Sequence, residues 1–347
     1  MTVSDELRQR ANELAAKTLN KHKMVIRGGP DRYSHAQETH YLNDTVFTIN
    51  HLADSIRMGQ PAFFESYVKW FSDFLPSINV PMNQMVQHFR VLETVIAEEL
   101  GEEAKLAVRT SIQFSIDQIG KGTLIEGQDP DQSAMNTLAQ EYLQLLLNGN
   151  RSGAVRLILH EVEGGRSIKD IYLNVFQATQ YRIGKLWQTN RITVAQEHFV
   201  TAATQYAMSH LYPYIFKEKP GHRKLVSTCI QGELHELGAR MVTDFFEIEG
   251  WDTNYLGANT PSGSIVSYIN EQRPQLVAIS ATLMTNVAAV SDLIADIRNS
   301  TQHNYQPQIM VGGYPFRAVP DLWKQVGADA FAANAGEAIN VASKLIT

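Results

Sequence analysis

Residues 224–238 read KLVSTCIQGELHELG, and their pattern indicates how the last third of the chain folds. Its first part, LVSTCI, is a short apolar run rich in β-branched residues, which is typical of a buried parallel strand. The run ends at Gln231 and Gly232, and from Glu236 onward apolar residues recur at helical spacing. The stretch therefore predicts the strand, loop and helix that open a βαβ unit.

The predicted loop carries a carboxylate and an imidazole two residues apart. In an extended loop, Glu233 and His235 point to the same side of the backbone. A carboxylate beside an imidazole fixes the tautomer of the ring and makes its other nitrogen a better metal ligand. The alternative interpretation is a histidine that is merely exposed in a βα loop.

The same residues resemble the cobalamin-binding signature Asp-x-His-x-x-Gly, which reads Glu233-x-His235-x-x-Gly238 in this chain. The resemblance implies that His235 replaces the cofactor's own benzimidazole as the lower ligand of cobalt and that Glu233 orients it. The glutamate is one methylene longer than the aspartate of the signature. The hydrogen bond from this carboxylate to His235 could therefore have a different direction, or a water molecule could bridge the two side chains.

Strands and helices alternate over residues 219–347. Strands are predicted at residues 224–230, 252–256, 276–280, 308–311 and 330–331. Helices are predicted near residues 236–250, 262–272, 286–299, 316–326 and 336–346. Five strands alternating with helices predict a doubly wound parallel sheet of flavodoxin-like or Rossmann-like order.

A ligand of such a sheet binds beyond the carboxyl ends of the strands. At these places the resemblance to cobalamin domains implies a Ser-x-Leu element against the buried benzimidazole and a Gly-Gly pair beside the nucleotide tail. Thr282 stands where the family has the leucine. A phosphate-binding Rossmann site would need Gly-x-Gly-x-x-Gly after the first strand, which this chain does not have there. The candidate cofactor contacts of this domain are Glu233, His235, Gly238, Leu256, Gly257, Ser280, Thr282, Gly312 and Gly313.

Residues 131–218 are predicted to form a second, helical domain. Its helices are expected at residues 134–147, 152–163, 167–188 and 193–216. Four helices with short connections favour an antiparallel four-helix bundle.

This bundle contains Trp187, followed after nine residues by Glu197 and His198. One continuous helix would hold Trp187 and His198 roughly 16 Å apart, too far to share a ligand. However, Thr193-x-x-Gln196 is a capping-box pattern that starts a new helix. Trp187 is therefore expected to end one helix, and the Glu-His pair to begin the next.

Trp-x9-Glu-His resembles the cap of the light-dependent B12 transcriptional repressors. The resemblance implies that Trp187, Glu197 and His198 cover the upper face of adenosylcobalamin around the adenosyl group. Two departures are visible: Gln188 replaces a histidine that can bind cobalt after illumination, and the repressors' N-terminal DNA-binding domain has no counterpart. The alternative is a core tryptophan and a surface Glu-His pair.

Residues 1–130 are predicted to be all helical, and a globin-like arrangement is one form that such a domain could take. Its helices are expected at residues 5–24, 35–57, 61–75, 82–100 and 102–119. Polar stretches at 121–133 and 217–223 are predicted linkers, so the expected domains are 1–130, 131–218 and 219–347.

The order of helical domain, helical cap and cobalamin domain resembles the photocobilins, photoreceptors that combine B12 with biliverdin. The resemblance implies a bilin in the first domain. We expect it to be non-covalent, because the only cysteine, Cys229, lies in a predicted buried strand. The rival occupant is haem, with His88 as an axial ligand. The candidate bilin contacts are Arg32, Tyr33, His35, His40, Tyr41, Asp44, His51, Tyr67 and His88.

Composition excludes several other classes of function. Lys and Arg number 30 against 36 Asp and Glu, with no basic block, so a nucleic-acid-binding module is not expected. The polar N-terminus is no signal peptide, and no apolar run reaches the ~20 residues of a membrane span. A single cysteine suits a reducing cytoplasm.

The sequence therefore predicts a cytoplasmic light sensor rather than an enzyme. Adenosylcobalamin would lie between cap and sheet with His235 on cobalt, and light would break the cobalt–carbon bond and change quaternary structure. A homodimer or light-dependent homo-oligomer and an unknown downstream partner are expected. The alternatives are a corrinoid carrier of a methyltransferase system, and a haem- or B12-binding sensor or storage module without photochemistry.

Overall fold

The computed structural model describes residues 1–25, 34–121, 135–216, 221–300 and 305–346. The chain forms two compact units, residues 1–126 and 127–347. Both predicted domain boundaries, 130/131 and 218/219, lie outside the described residues, as do most residues of the two predicted linkers.

The described part of the first unit is helical, as predicted. Its helices are α1 (Val3–Gln9), α2 (Ala11–Val25), α3 (His35–Met58), α4 (Pro61–Phe74) with a following 3-10 turn (Leu75–Ile78), α5 (Met82–Leu100) and α6 (Glu102–Lys121). The prediction of one helix over residues 5–24 is wrong. Arg10 leaves helical geometry between α1 and α2, and its guanidinium donates to the Glu99 carboxylate at 2.9 Å.

Apolar faces of these helices meet in one core. Phe64 on α4 packs near Phe89 on α5, with ring centroids 5.3 Å apart, among buried aliphatic side chains of the neighbouring helices. The aromatic stripe that the sequence shows on α4 contributes Phe63, Phe64 and Tyr67 to the interior, whereas Trp70 is only half-buried. This helix is therefore held by burial of one face.

The second unit begins with a helical bundle, which we call the lid. It consists of α7 (Thr137–Leu147), α8 (Arg151–Glu163), α9 (Ile168–Ile171), a π-helical turn (Tyr172–Gln177), α10 (Ala178–Gln188) and α11 (Val194–Ile215). Tyr142, Tyr172 and Phe176 are fully buried in its core. The predicted four-helix arrangement is confirmed, except that the third helix contains the π-helical turn.

Local sequence explains the start of α11. Thr193 caps the helix, because its hydroxyl accepts from the Gln196 N–H while the Gln196 side chain accepts from the Thr193 N–H. This capping box satisfies backbone donors that a helix start otherwise leaves unpaired. The chain therefore breaks between Trp187 and Glu197, as predicted.

The lid is followed by a five-stranded parallel sheet with the strand order β2-β1-β3-β4-β5. The strands are β1 (Lys224–Cys229), β2 (Asp252–Tyr255), β3 (Leu276–Ser280), β4 (Gln308–Gly312) and β5 (Ala330–Ala332). The helices between and after them are α12 (Leu237–Ile248), α13 (Ser262–Gln272), α14 (Val287–Ser300), α15 (Tyr314–Ala318), α16 (Leu322–Gln325) and α17 (Ala335–Leu345). This order confirms the predicted flavodoxin-like, doubly wound sheet.

The buried strands β1 and β3 are paired side by side, and this pairing fixes where their carboxyl ends lie. They pair from Leu225 with Leu276 to Cys229 with Ser280, and their side chains are almost all buried. Continuous apolar strands of this kind are typical of parallel sheets covered on both faces. Loops that follow β1 and β3 therefore emerge side by side.

The predicted helix at residues 316–326 is wrong. Two short helices, α15 and α16, replace it. Pro320 lies between them, and a proline disfavours helical geometry at the preceding residue. Accordingly, Val319 is extended, and Asp321 takes a left-handed conformation with φ 58°.

Within the described residues, no helix combines the length and the apolar composition needed to cross a bilayer.

Candidate functional site

The loop after β1, residues 230–236, holds a carboxylate and an imidazole in direct contact; we call it the His loop. Nδ1 of His235 lies 2.6 Å from Oε1 of Glu233, and the His235 backbone N–H donates to the same oxygen at 3.0 Å. The carboxylate therefore contacts the imidazole directly, although the glutamate is one methylene longer than the aspartate of the signature. With Nδ1 engaged, Nε2 is the nitrogen available to a ligand.

The second oxygen of Glu233 ties the His loop to the loop after β3. Oε2 accepts from the backbone N–H groups of Thr282 at 2.7 Å and Leu283 at 3.3 Å, and from Nδ2 of Asn286 at 2.9 Å. Glu233 is fully buried. Burial alone would raise the pKa of its carboxyl, but the hydrogen bonds from His235, Thr282 and Asn286 outweigh burial and lower the pKa to about 2. The group is therefore a fixed negative charge.

The imidazole of His235 is held by Glu233, yet more than half of the side chain is accessible to solvent. Its side chain is 56% exposed. The hydrogen bond to Glu233 raises the pKa of the imidazole, burial opposes this, and the charges of Glu233 and of Glu197 on the lid add to the rise. The Glu197 carboxylate therefore lies within electrostatic reach of the imidazole.

His235 can supply only one bond of a metal's coordination sphere. In the part of the chain that the structure describes, no group of three or more His, Cys, Asp or Glu side chains could hold a metal ion. A single imidazole suits a metal whose other ligands belong to a macrocycle.

The other predicted loop ends lie around the same edge of the sheet. The N–H of Cys229 donates to the Gly257 carbonyl at 3.0 Å, and the N–H of Leu256 to the Ser227 carbonyl at 2.9 Å. Ser280 ends β3 and pairs with Gly312 in the register of β4. These contacts bring the ends of β1, β2, β3 and β4 together beside the His loop.

Two glycines of the candidate site differ in their surroundings. A Cβ at Gly313, where φ is +108°, would lie 1.9 Å from the Ala281 carbonyl oxygen, so only glycine allows this close approach of two loops. A Cβ at Gly238, in the first turn of α12, would meet no atom within 4 Å. Gly238 therefore borders open space.

The three lid candidates lie at the end of α10 and the start of α11. Trp187 is in the last turn of α10 and is 41% exposed. Nδ1 of His198 lies 2.5 Å from Oε2 of Glu197, and His198 is exposed. An exposed tryptophan and a paired Glu-His are polar and aromatic groups available to a ligand.

Side-chain contacts join the lid to the sheet domain, and sequence reasoning missed the three that follow. Gln205 of α11 donates to Glu236 at 2.7 Å, and Tyr172 donates to Asp244 of α12 at 2.7 Å. Arg317 of α15 donates to the hydroxyl of Tyr181 at 3.2 Å. No local pattern marks these residues, because each pair is separated by 31 residues or more.

The candidate bilin contacts of the first unit separate into a half-buried pair, a buried pair and a group of further residues. The Tyr41 hydroxyl lies 2.7 Å from Nδ1 of His88, and His51 stacks on Tyr67 with ring centroids 4.5 Å apart. Burial lowers the pKa values of His51 and His88 to about 3, so both rings are neutral. The remaining candidates are His35, His40 and Asp44, which are exposed on α3, and Arg32 and Tyr33, which lie outside the described residues.

His22 is a residue that the sequence reasoning missed. It is buried, its ring lies 5.1 Å from that of Tyr41, and its Nδ1 has no hydrogen-bond partner among the described residues. The sequence gives no signal for it beyond its place on an amphipathic helix. Cys229 is buried, as expected, and burial raises the pKa of its thiol to about 12.

Comparison with known proteins bears on the second unit. Residues 223–342 match the model of the B12 binding domain, and residues 138–212 match a second B12 binding domain model. The lid and the sheet domain together are a B12-binding module.

Curated relatives of the module are corrinoid proteins. Monomethylamine corrinoid protein 1 of Methanosarcina mazei is 26% identical over 202 residues, covering 56% of this chain and 91% of that protein. Dimethylamine corrinoid protein 1 of the same organism is 23% identical over 220 residues, covering 60% and 98%. The solved structure of the Methanosarcina barkeri monomethylamine corrinoid protein has a TM-score of 0.54 and 24% identity over 61% of this chain and all of that one, so it shows a shared fold.

The donor set of the B12-binding module fits a corrinoid. A corrin ring supplies most of the ligands of its own cobalt, and Nε2 of His235 would supply one more from the protein. Gly238, three residues after His235, leaves open space at the first turn of α12. A buried carboxylate behind the imidazole is the outer partner that metal-binding histidines ordinarily have.

Proposed function

We propose that the B12-binding module holds cobalamin with Nε2 of His235 as the lower ligand of cobalt. The observation that supports this most is the 2.6 Å contact between Nδ1 of His235 and the buried carboxylate of Glu233. This contact fixes the orientation of the ring and, with it, the position of Nε2. The open space at Gly238 would admit part of the cofactor, and the lid would cover the opposite face.

We infer that the module serves as a corrinoid carrier for a partner methyltransferase. When bound, cobalamin supplies a cobalt–carbon bond that methyl transfer or light can break. The inference rests on relatives named monomethylamine and dimethylamine corrinoid proteins, which align over 202 and 220 residues of this chain. The partner would perform the transfer, and the chain itself would bind and present the cofactor.

A second candidate, the cytoplasmic light sensor, is favoured by the residues of the lid. Trp187 is exposed at the end of α10, and Glu197 lies within electrostatic reach of His235. These groups would contact a bulky upper ligand such as the adenosyl group. Light would then release contacts of the lid and change the assembly of a homodimer or larger homo-oligomer, with an unknown downstream partner.

The light sensor would carry a second chromophore in the first unit. Tyr41, His88 and the buried His22 offer polar groups beside apolar side chains. Biliverdin would be non-covalent, because the thiol of Cys229 is buried and its pKa is raised. Haem is the alternative. Protein produced with B12 and a bilin supply should show a red band beside the corrin bands, whereas a Soret band indicates haem.

One set of measurements separates the two functions. The purified protein is loaded in the dark with methylcobalamin or adenosylcobalamin, and its spectrum and hydrodynamic size are recorded before and after illumination. A carrier that is loaded separately with aquacobalamin and reduced chemically to cob(I)alamin should accept a methyl group from methylamine when a partner methyltransferase is present, with release of ammonia. A sensor should change size after light, and Trp187→Ala should abolish that change while cobalamin binding largely survives.

The shared part of both proposals has its own test. His235→Ala should weaken cobalamin binding and change the absorbance of the bound corrinoid. If the variant binds cobalamin with wild-type affinity and an identical spectrum, His235 is not the cobalt ligand and both functions lose their basis.

A further inference from the structure

A cavity apart from the His loop lies between the lid and the sheet domain. Its volume is about 320 Å³, and no residue of the His loop lines it. The end of α11, one face of α12 and strand β2 form its walls, which include Tyr212 and Phe216 from the lid and Arg240, Asp244, Glu247 and Asp252 from the sheet domain. A cavity of this size has room for a small organic molecule.

The charges around the cavity are predominantly negative. Asp244, Glu247 and Asp252 contribute carboxylates, and Arg240 is the only cation among the described residues that line it. Lys224 lies outside the lining, with its Nζ 3.6 Å from Oδ2 of Asp252. The carboxylates outnumber the cations even when Lys224 is counted, so the cavity favours a cationic ligand.

Arg240 is engaged by the lid rather than by these carboxylates. Its Nε and Nη2 donate to the Tyr212 hydroxyl at 3.0 and 2.8 Å, and Nη2 also donates to Oγ of Ser209 at 3.2 Å. The charge of the guanidinium acts on Asp244 without a hydrogen bond between the two side chains. Among the described residues, Asp244 and Glu247 therefore have no cation in direct contact.

Asp244 and Glu247 each use one carboxylate oxygen and leave the other without a hydrogen-bond partner among the described residues. Oδ2 of Asp244 accepts from Tyr172 at 2.7 Å, and Oε2 of Glu247 accepts from the Thr253 hydroxyl. Asp244 is only 4% exposed, and a buried acceptor without a donor costs free energy. Because the two residues are three positions apart on α12, they are neighbours on one face, and one ligand can reach both.

An ammonium group suits this lining better than a metal ion. In the described parts of the chain, no group of three or more His, Cys, Asp or Glu side chains could hold a metal ion. An ammonium group needs no such convergence, because it brings three N–H donors of its own. The ring of Phe216, which is 51% exposed, offers a surface for an alkyl chain and for the positive charge.

We propose that this cavity binds a small aliphatic ammonium ion, which donates hydrogen bonds to Asp244 and Glu247 and packs its alkyl chain against Phe216. The bound ion contacts α11 and α12 together and thereby holds the lid on the sheet domain. Binding at this place is independent of the proposed cobalt ligand, because the cavity contains no residue of the His loop.

The test compares butylammonium with butyrate, an anion of similar length, on the full chain at matched ionic strength. Butylammonium has few non-hydrogen atoms, so calorimetric titration should give a dissociation constant on the order of 1 mM. At about 20 mM it should raise the melting temperature of the second unit by about 3–6 °C and slow amide hydrogen exchange in α11. Butyrate should do neither.

Two variants remove a charge and keep the neighbouring bond. Glu247→Gln retains an oxygen for the Thr253 hydroxyl, and Asp244→Asn retains one for Tyr172. Each should weaken butylammonium binding about tenfold, the effect of one hydrogen bond to a charged group. Glu271→Gln is the matched control, because Glu271 is exposed on α13 and does not line the cavity, and it should bind like the wild type.

Equal effects of butylammonium and butyrate, or wild-type affinity in both variants, overturn the site. Butylammonium binding without slower exchange in α11 overturns its hold on the lid. These measurements use no cobalamin, so their failure leaves the proposed function intact. Conversely, wild-type cobalamin binding by His235→Ala would overturn the proposed function and leave this site intact.

Discussion

The side-chain amide of Gln205 on α11 donates to Oε1 of Glu236 at 2.7 Å, which joins the lid to the residue that follows His235. The other oxygen of Glu236 accepts from the hydroxyl of Tyr255 and the N–H of Ala258, both at 3.2 Å. Glu236 is thereby fixed to the loop after β2. Displacement of the lid would therefore act directly on the His loop.

Gln205→Leu should loosen the lid without unfolding it. A hydrogen bond to a charged group contributes about 1.5–3 kcal/mol when buried, and less at this half-buried position. We expect faster amide hydrogen exchange in α11 and a three- to tenfold lower affinity for aquacobalamin. Gln144→Leu is the control, because Gln144 is exposed on α7 and bonds to Asn148 of the lid itself. Equal exchange in the two variants would show that the bond does not hold the lid.

Much of the architecture around this bond follows from local sequence patterns. The apolar run of β1, the capping box at Thr193 and the spacing of the five strands each depend on neighbouring residues, so they are predictable from the chain alone. The π-helical turn at Tyr172–Gln177 is different, because its buried Tyr172 donates to Asp244, 72 residues later. Such contacts leave no periodic signal.

The candidate site likewise contains one contact that the sequence predicts and others that it does not. Glu233 and His235 are two residues apart, and their pairing is visible in the sequence. The donors to the second oxygen of Glu233, including Asn286, come from a loop about 50 residues away. The hydrogen bond between Thr201 and Gln180 leaves no motif either, because it depends on how α10 packs against α11.

Glu233→Gln tests the partner of the proposed cobalt ligand. A neutral amide cannot accept all the bonds that the carboxylate accepts, and loss of such an outer partner typically lowers metal affinity 10- to 100-fold. Cobalamin affinity should fall by that factor, as measured by absorbance titration. Glu337→Gln, at the exposed start of α17, is the control and should bind normally.

The same variant should alter the pH dependence of binding. Cobalt requires a neutral imidazole, so affinity should rise as pH increases through the pKa of His235. Because Glu233 raises that pKa, the wild-type midpoint should lie above the usual value of 6.5, and Glu233→Gln should move it lower. Identical midpoints in the two proteins would show that the carboxylate does not control the protonation of His235.

Two glycine substitutions should separate folding from cofactor binding. Gly313→Ala places a Cβ 1.9 Å from the Ala281 carbonyl oxygen at a φ of +108°, so it should lower the melting temperature strongly or prevent folding. Gly238→Ala meets no atom within 4 Å, and alanine is the better helix former by about 1 kcal/mol. It should melt no lower than the wild type, yet bind cobalamin at least tenfold more weakly if the cofactor enters this space. Wild-type binding by Gly238→Ala would place the cofactor elsewhere.

Asp244 should make the stability of the second unit depend on pH. Burial raises the pKa of its carboxyl from 3.8 to about 6, partly offset by the hydrogen bond from Tyr172 and the charge of Arg240. Because the pKa is higher in the folded chain, the resulting stabilisation is complete below about pH 3.8 and is lost as pH rises through 6. The difference between the two pKa values corresponds to about 3 kcal/mol at this buried position.

Asp244→Asn removes the charge and keeps an oxygen that can accept from Tyr172. Between pH 4 and pH 7, its unfolding free energy in urea should therefore fall by up to about 3 kcal/mol less than that of the wild type. Asp244 and Asp252 line one cavity of the second unit, and Asp252 is half-buried. Asp252→Asn is therefore the control, and its slope should follow the wild type. If Asp244→Asn also follows the wild type, the carboxylate is already ionised at low pH, and the contact between the lid and α12 is then a bond from Tyr172 to a buried charge.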